Sequence, residues 1–566
     1  MNILASMMVA ITVALCGVTN VAVAMSAPSG SGATALATSA AIDADGRLWI
    51  AYALVREDGN ADVLLRRTDD AGMHWATPIR VTPAPEPVSA DGENRPKLAF
   101  GPNREVYVTW TTPTSDQYTG DIRYSRSLDG GATWSAPAVV HRDRQLITHR
   151  FESLIVDGAG RVWVTWIDKR DLQHAGAAQG DYAGAAIYYA WSDDQGASWH
   201  GDFKLADHSC ECCRIALAVD PKGRAVAMWR HVFPPNERDH AFAVLEPRMN
   251  GKRGAVAPAS VRRATFDRWR IDACPHHGPS LAIGADGVQH AVWFNQVDGA
   301  GRAYYGQLGL GESGAPGQVS ALPAGATHAD VAVAGDRVAV AWKRFDGKTT
   351  NVETWISQDG GRAFVPGPVL RSTQASDQPR LVSNGDEILL VWRRLDDVAV
   401  ARVSQRRLQS STPSSTAPRA AAQPQREASL RPFEGADTLA RIQAQHAGTP
   451  YWLVLWDLEC VYCMKSLSHL AQAQREHPDL KVVTITTDSI ELAPRILARL
   501  AELGVRSETY AFGSAPPEAL RFAIDPQWLG EKPRAYAYAP QGERRAILGV
   551  ISADGFAEIL ADKASD

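Results

Sequence analysis

Ser127-Leu128-Asp129-Gly130-Gly131-Ala132-Thr133-Trp134 is the stretch on which the fold turns. It reads Ser/Thr-x-Asp-x-Gly-x-x-aromatic, and the pattern returns at Thr68–Trp75, Ser192–Trp199 and Ser357–Phe364. Each copy is turn chemistry. The aspartates Asp70, Asp129, Asp194 and Asp359 accept backbone N–H bonds, a glycine supplies positive φ, and the aromatic packs beneath. One copy is a turn; four in register with a longer period are an architecture.

Working outward, the longer period is a hairpin. A short apolar strand, a Gly- or Asn-containing turn and a second strand ending in an aromatic occur at Ser39–Tyr52, Arg95–Trp110, Phe151–Trp166, Arg214–Trp229, Pro279–Trp293, Ala329–Trp342 and Pro379–Trp392. A spacing of roughly 50–60 residues per hairpin matches four-stranded propeller blades. The expectation is an all-β propeller over residues 34–408, with six or seven blades and seven favoured.

The four motifs resemble the Asp-boxes of the sialidase (neuraminidase) superfamily. That resemblance implies a structural role for Asp70, Asp129, Asp194 and Asp359, on the face opposite an active site. It does not imply sialidase turnover here. The family's first blade opens with an arginine, whereas this one opens Ala37-Thr38-Ser39-Ala40, and Arg95-Pro96 lies one blade late. The carboxyl or Tyr groups that glycoside cleavage needs are not assignable.

Residues just before the first strand and just after the second line one channel mouth. There stand Cys210-Glu211-Cys212-Cys213-Arg214 and Cys274-Pro275-His276-His277, brought together by the fold although about sixty residues apart. His149, Arg150, Glu152, His328 and Asp330 open other blades, and Arg230, His231 and Asn295 follow second strands. For the cysteines three readings stand open: disulfides, a Cu(I) or Zn site formed with His276 and His277, or a redox-cycling thiol pair.

After Arg402 the composition changes. Residues 409–431 are rich in Ser, Pro, Ala and Gln and read as a flexible linker. Residues 432–566 then carry an α/β pattern. Strand Tyr451–Trp456 runs into Cys460-Val461-Tyr462-Cys463, which opens a helix through Arg475. Lys481–Thr487 is a strand, Ala493–Leu503 a helix, and Lys532-Pro533 leads into a final hairpin and helix. This order resembles the thioredoxin fold. The resemblance implies an exposed attacking Cys460, a resolving Cys463, a cis-proline at Pro533 and the family's tryptophan at Trp456. Glu459 stands where an aromatic is usual, and Val454 replaces the family's buried carboxylate.

The N-terminus reads as a cleaved export signal over residues 1–24. Ile3–Val18 is uncharged and apolar, Ala22-Val23-Ala24 suits cleavage, and Leu15 is too bulky for a lipoprotein site at Cys16. The expected compartment is periplasmic or secreted and oxidising. The net charge of −5 points to no nucleic acid, and no later stretch reads as a transmembrane span. The functional expectation is an exported thiol–disulfide oxidoreductase with a periplasmic thiol client and an electron donor. The alternatives are a copper-handling protein, or a propeller that binds a glycan or protein ligand and carries an accessory redox domain.

Overall fold

The computed structural model describes residues 33–114, 118–175, 184–249, 261–297, 300–309, 314–403 and 430–558. The export signal and linker residues 409–429 lie outside them.

Residues 33–403 form seven antiparallel sheets in chain order, so the blade count is seven. Each hairpin read from the sequence supplies the inner two strands of a sheet, from Ser39–Ile42 with Leu48–Val55 to Arg380–Ser383 with Ile388–Arg393. The last sheet has three strands among the described residues. Among the described residues the ring closes without a shared strand: Ser39–Ile42 packs on Arg380–Ser383, and the Thr38 N–H donates to Asp377 Oδ2 at 2.5 Å.

The second-strand aromatics Tyr52, Trp110, Trp166, Trp229, Trp293, Trp342 and Trp392 are all buried between blades. Truncating such a residue to Ala costs about 3–5 kcal/mol. Each Asp-box joins the third strand of its blade to the fourth or to the loop before it, and clamps the neighbouring blade. In blade three, Ser192 Oγ accepts the Gly196 N–H at 2.8 Å and Asp194 accepts the Ser198 N–H at 2.9 Å. Trp199 stands edge-on to Tyr124 of blade two. Blade six repeats this with Phe364 on Tyr305.

Residues 430–558 form an α/β unit around one six-stranded sheet. Its order is Arg431–Phe433, Glu508–Phe512, Val482–Ser489, Tyr451–Trp456, Arg534–Tyr538, Arg544–Leu548. The first four strands are parallel and the last two antiparallel. The unit thus begins at Arg431, which the sequence reading had left in the linker. Helix Val461–Glu476 starts at Cys460 and buries Cys463, Leu467, Leu470, Ala471 and Gln474, the spacing of one helical face. No helix among the described residues is long and apolar enough to cross a membrane.

The two parts are docked, and the docking surface is the channel mouth. Arg150 pairs with Glu459 at 2.6 Å, Arg238 Nη2 donates to Tyr462 Oη at 2.7 Å, and Lys343 pairs with Glu518 at 2.5 Å. Phe345 meets Phe522 edge-on. The hydrophobic core between blades three and four runs on without a break into the α/β unit, and the four mouth cysteines lie within it beside Cys460 and Cys463.

Candidate functional site

The centre of the site is sulfur. Cys210, Cys212, Cys213 and Cys274 are free thiols, each at most 3% exposed. Cys210 Sγ lies 3.7 Å from Cys212 Sγ and 3.7 Å from Cys213 Sγ. Cys212, Cys274 and His276 present donor atoms within 4.8 Å of one another. His276 Nε2 is buried and has no hydrogen-bond partner. His277, grouped with it in the sequence reading, stands apart: its Nε2 lies 3.2 Å from the Leu529 carbonyl and its ring stacks on Phe294.

The thiols are not alike. Hydrogen bonds from Cys212 and Cys213 hold Cys210 well below the usual thiol range, against the cost of burial. A hydrogen bond from Cys212, with His276 beside it, brings Cys274 down to about 6. Burial pushes Cys212 and Cys213 up. Arg238 Nη1 sits 3.7 Å from Cys210 Sγ and supplies positive charge. Glu211, inside the same turn, is drawn off by Lys169.

Across the interface Cys460 and Cys463 are joined as a disulfide. The Cys463 N–H donates to Cys460 Sγ at 3.1 Å, so the sulfur caps the helix. Both residues are 0% exposed; the exposed Cys460 expected from the sequence is not what the docked chain presents. Glu459, whose charge beside Cys460 opposes a thiolate, is neutralised by Arg150. The Lys532–Pro533 bond is cis, and Trp456 is fully buried on the strand before the motif.

One contact joins the two sets of cysteines through the backbone. The Cys274 N–H donates to the Lys532 carbonyl at 2.6 Å, and the Lys532 N–H returns to the Cys274 carbonyl at 3.2 Å. The propeller segment carrying Cys274 therefore pairs, strand-like, with the residue before Pro533.

Three residues here escaped the sequence reading. Lys532 Nζ pairs with Asp457 and donates to Thr487 Oγ1 at 3.0 Å. Burial, and then the charge of Asp457, raise Asp488 to about 6. Asp488 accepts the Leu458 N–H at 2.8 Å, which puts a partly buried, titratable carboxyl next to the motif that lacks one at Val454. Asp457 follows the end of strand Tyr451–Trp456 and Asp488 is the last residue but one of strand Val482–Ser489, and nothing in a single sequence marks either as facing the motif.

Beside the sulfurs lies a cavity of about 370 Å³ between the two parts, lined by Glu93, Arg150, His276, Asp457, Glu518 and Lys532 among others. At the propeller centre the arginines are already engaged. Arg95 donates to the Thr38 carbonyl and to Gln378, each at 2.7 Å, and faces Asp377. Arg214 pairs with Glu93 at 2.6 Å.

A family model described as BNR repeat-like domain matches residues 46–252, a stretch holding three of the four Asp-boxes. No curated protein matches the chain. Among similar solved structures is an ulvan lyase of polysaccharide lyase family PL25, with 11% identity and a TM-score of 0.43, covering 67% of this chain and 95% of that one. An α-L-arabinanase from Penicillium chrysogenum has 14% identity and a TM-score of 0.37, covering 55% and 92%. A mutant NanB sialidase from Streptococcus pneumoniae has 10% identity and a TM-score of 0.37, covering 58% and 68%.

Proposed function

We propose that the chain is an exported thiol–disulfide oxidoreductase whose C-terminal unit, thioredoxin-like in its strand–motif–helix order, acts on the cysteines of its own propeller. The observation that carries this reading is the backbone pair between Cys274 and Lys532. It holds a propeller cysteine in extended form against the unit that bears Cys460 and Cys463, and all six cysteines belong to one continuous buried core.

The exchange balances within the chain. In the reduced unit the Cys460 thiolate attacks Cys274 Sγ of a Cys212–Cys274 disulfide. That bond breaks, Cys212 leaves as a thiolate and takes a proton, and a Cys460–Cys274 bond forms. The Cys463 thiolate then attacks Cys460 and releases Cys274. Two electrons have passed from the Cys460/Cys463 pair to the propeller pair. An external reduced dithiol protein returns the motif to its starting state.

The test is the Cys463→Ser variant, mildly oxidised, digested without reductant and mapped by mass spectrometry. Cys460 is expected joined to Cys274 or to another propeller cysteine. Cys460 joined only to small thiols or to foreign proteins would sink the reading.

A second reading, glycan recognition by the propeller, draws on the BNR repeat match. The paired state of Arg95 and Arg214 leaves little donor capacity for a sugar carboxylate. A fluorogenic sialoside is therefore expected to stay uncleaved; release well above a heat-denatured control would favour this second reading.

A further inference from the structure

We infer that Cys210, Cys212, Cys213, Cys274 and His276 form a binding site for a soft d10 cation, Cu(I) or Zn(II), in which Cys212 is the shared ligand of two overlapping donor sets.

The geometry of the sulfurs is the first argument. A disulfide holds its sulfurs at about 2.05 Å. Tetrahedral zinc–thiolate bonds of about 2.3 Å place neighbouring sulfurs about 3.8 Å apart. Cys210 lies 3.7 Å from both Cys212 and Cys213, near the edge of such a tetrahedron. The Cys-x-Cys-Cys turn before blade four brings three sulfurs within 4.8 Å of one another. The Cys274–His276 turn before blade five adds a sulfur and an imidazole within the same distance of Cys212.

The second argument is what the donors lack. Four buried thiols are gathered here, the donors that a thiophilic cation takes. His276 Nε2 is buried with no partner, an orphan that a ligand bond would satisfy. Thiolate and imidazole donors select Cu(I) and Zn over Ca²⁺ or Mg²⁺, which require oxygen. The one carboxylate inside the turn, Glu211, is held by Lys169 instead. Arg238, 3.7 Å from Cys210 Sγ, offsets the negative charge that several thiolates leave around a cation of low charge.

This goes beyond the exchange reading, because the cation needs the propeller thiols and not Cys460. The two fail separately: the Cys460→Ser/Cys463→Ser double variant loses exchange and is expected to keep the metal.

The experiment uses the full chain, reduced, stripped and reloaded in two arms. One arm supplies Zn(II), the other Cu(I) under anaerobic conditions, each against a chromophoric chelator. At least one equivalent of one ion is expected to survive gel filtration, and the arm that holds it names the ion. Cys212→Ser should lower retention at least about tenfold, while His277→Ala should retain the metal. Since Cys212→Ser risks misfolding, Co(II) loaded into the wild type gives an independent readout. Sulfur-to-cobalt charge-transfer absorption that added Zn(II) erases supports the site. Wild type holding less than roughly a tenth of an equivalent in both arms overturns it, as does a protein that holds Zn(II) but whose Co(II) form shows no charge-transfer band. Full metal retention in a folded Cys212→Ser overturns it equally.

Discussion

Gly196 shows what one residue of an Asp-box does. Its φ is +76°, and a Cβ built on it would stand 1.8 Å from Tyr124 Oη on the neighbouring blade. The glycine is there for the turn and for the clamp at once. Gly46, in a hairpin of blade one, has φ +78° but open space around the same position. The pair separates two costs. Gly46→Ala carries only the left-handed backbone penalty, about 1–2 kcal/mol. Gly196→Ala adds the displacement of a buried tyrosine, for a further 1–3 kcal/mol or so. Thermal denaturation of the two variants side by side should show the larger loss for Gly196→Ala; equal losses would mean that the box is a turn and no clamp. The residues of the candidate site differ in the same way. That Cys210, Cys212, Cys213 and Cys274 meet was legible because blade topology fixes which loops come together. Arg238 and Asp488 were not, since their roles come from partners more than two hundred and about thirty residues away, respectively, that local pattern does not reveal.

At the scale of elements, what repeats was readable and what occurs once was less so. All seven inner hairpins were visible because each pairs an alternating strand with a glycine turn and a terminal aromatic. In the C-terminal unit, strand Tyr451–Trp456 and helix Val461–Glu476 stood out by apolar run and helical period. Strand Glu508–Phe512 and helix Pro517–Ile524 were missed. Pro516-Pro517 reads as a loop, yet Pro517 takes the first helical position, where a missing N–H costs nothing. That helix matters for assembly. Leu520 and Ile524 are buried within their own unit, whereas Glu518 pairs with Lys343 and Phe522 packs on Phe345 of the propeller. Removing Glu518 leaves Lys343 buried without its acid, a loss of about 3–5 kcal/mol for a pair of this kind. The Glu518→Ala/Phe522→Ala variant is therefore expected to undock while each part stays folded. Small-angle scattering should report a larger radius of gyration than wild type, and an unchanged value would show that the helix does not hold the interface.

For the whole molecule, docking and redox supply pull in opposite directions. With the parts docked, Cys460 and Cys463 are buried in a core shared with the propeller thiols, which on the proposed exchange favours transfer inside the chain over an outside reductant. Recharging the motif by an external dithiol then requires the unit to leave the mouth, so the rate of reduction follows the small population of open molecules. Beside the shared apolar core, polar docking contacts are spread over blades three to six, through Arg150, Arg238, Cys274 and Lys343, and their loss is what opens the mouth. The consequence is measurable. When a small dithiol is added to oxidised protein, the Cys460–Cys463 bond of the wild type should be reduced slowly. In Glu518→Ala/Phe522→Ala it should be reduced at least about tenfold faster, because loss of the buried pair raises the open population. The extent of reduction at equilibrium need not change by the same factor, so the initial rate is the quantity to compare, read by alkylation and mass. Equal initial rates in the two proteins would mean that small dithiols reach the motif without undocking. The propeller would then position the C-terminal unit without gating it.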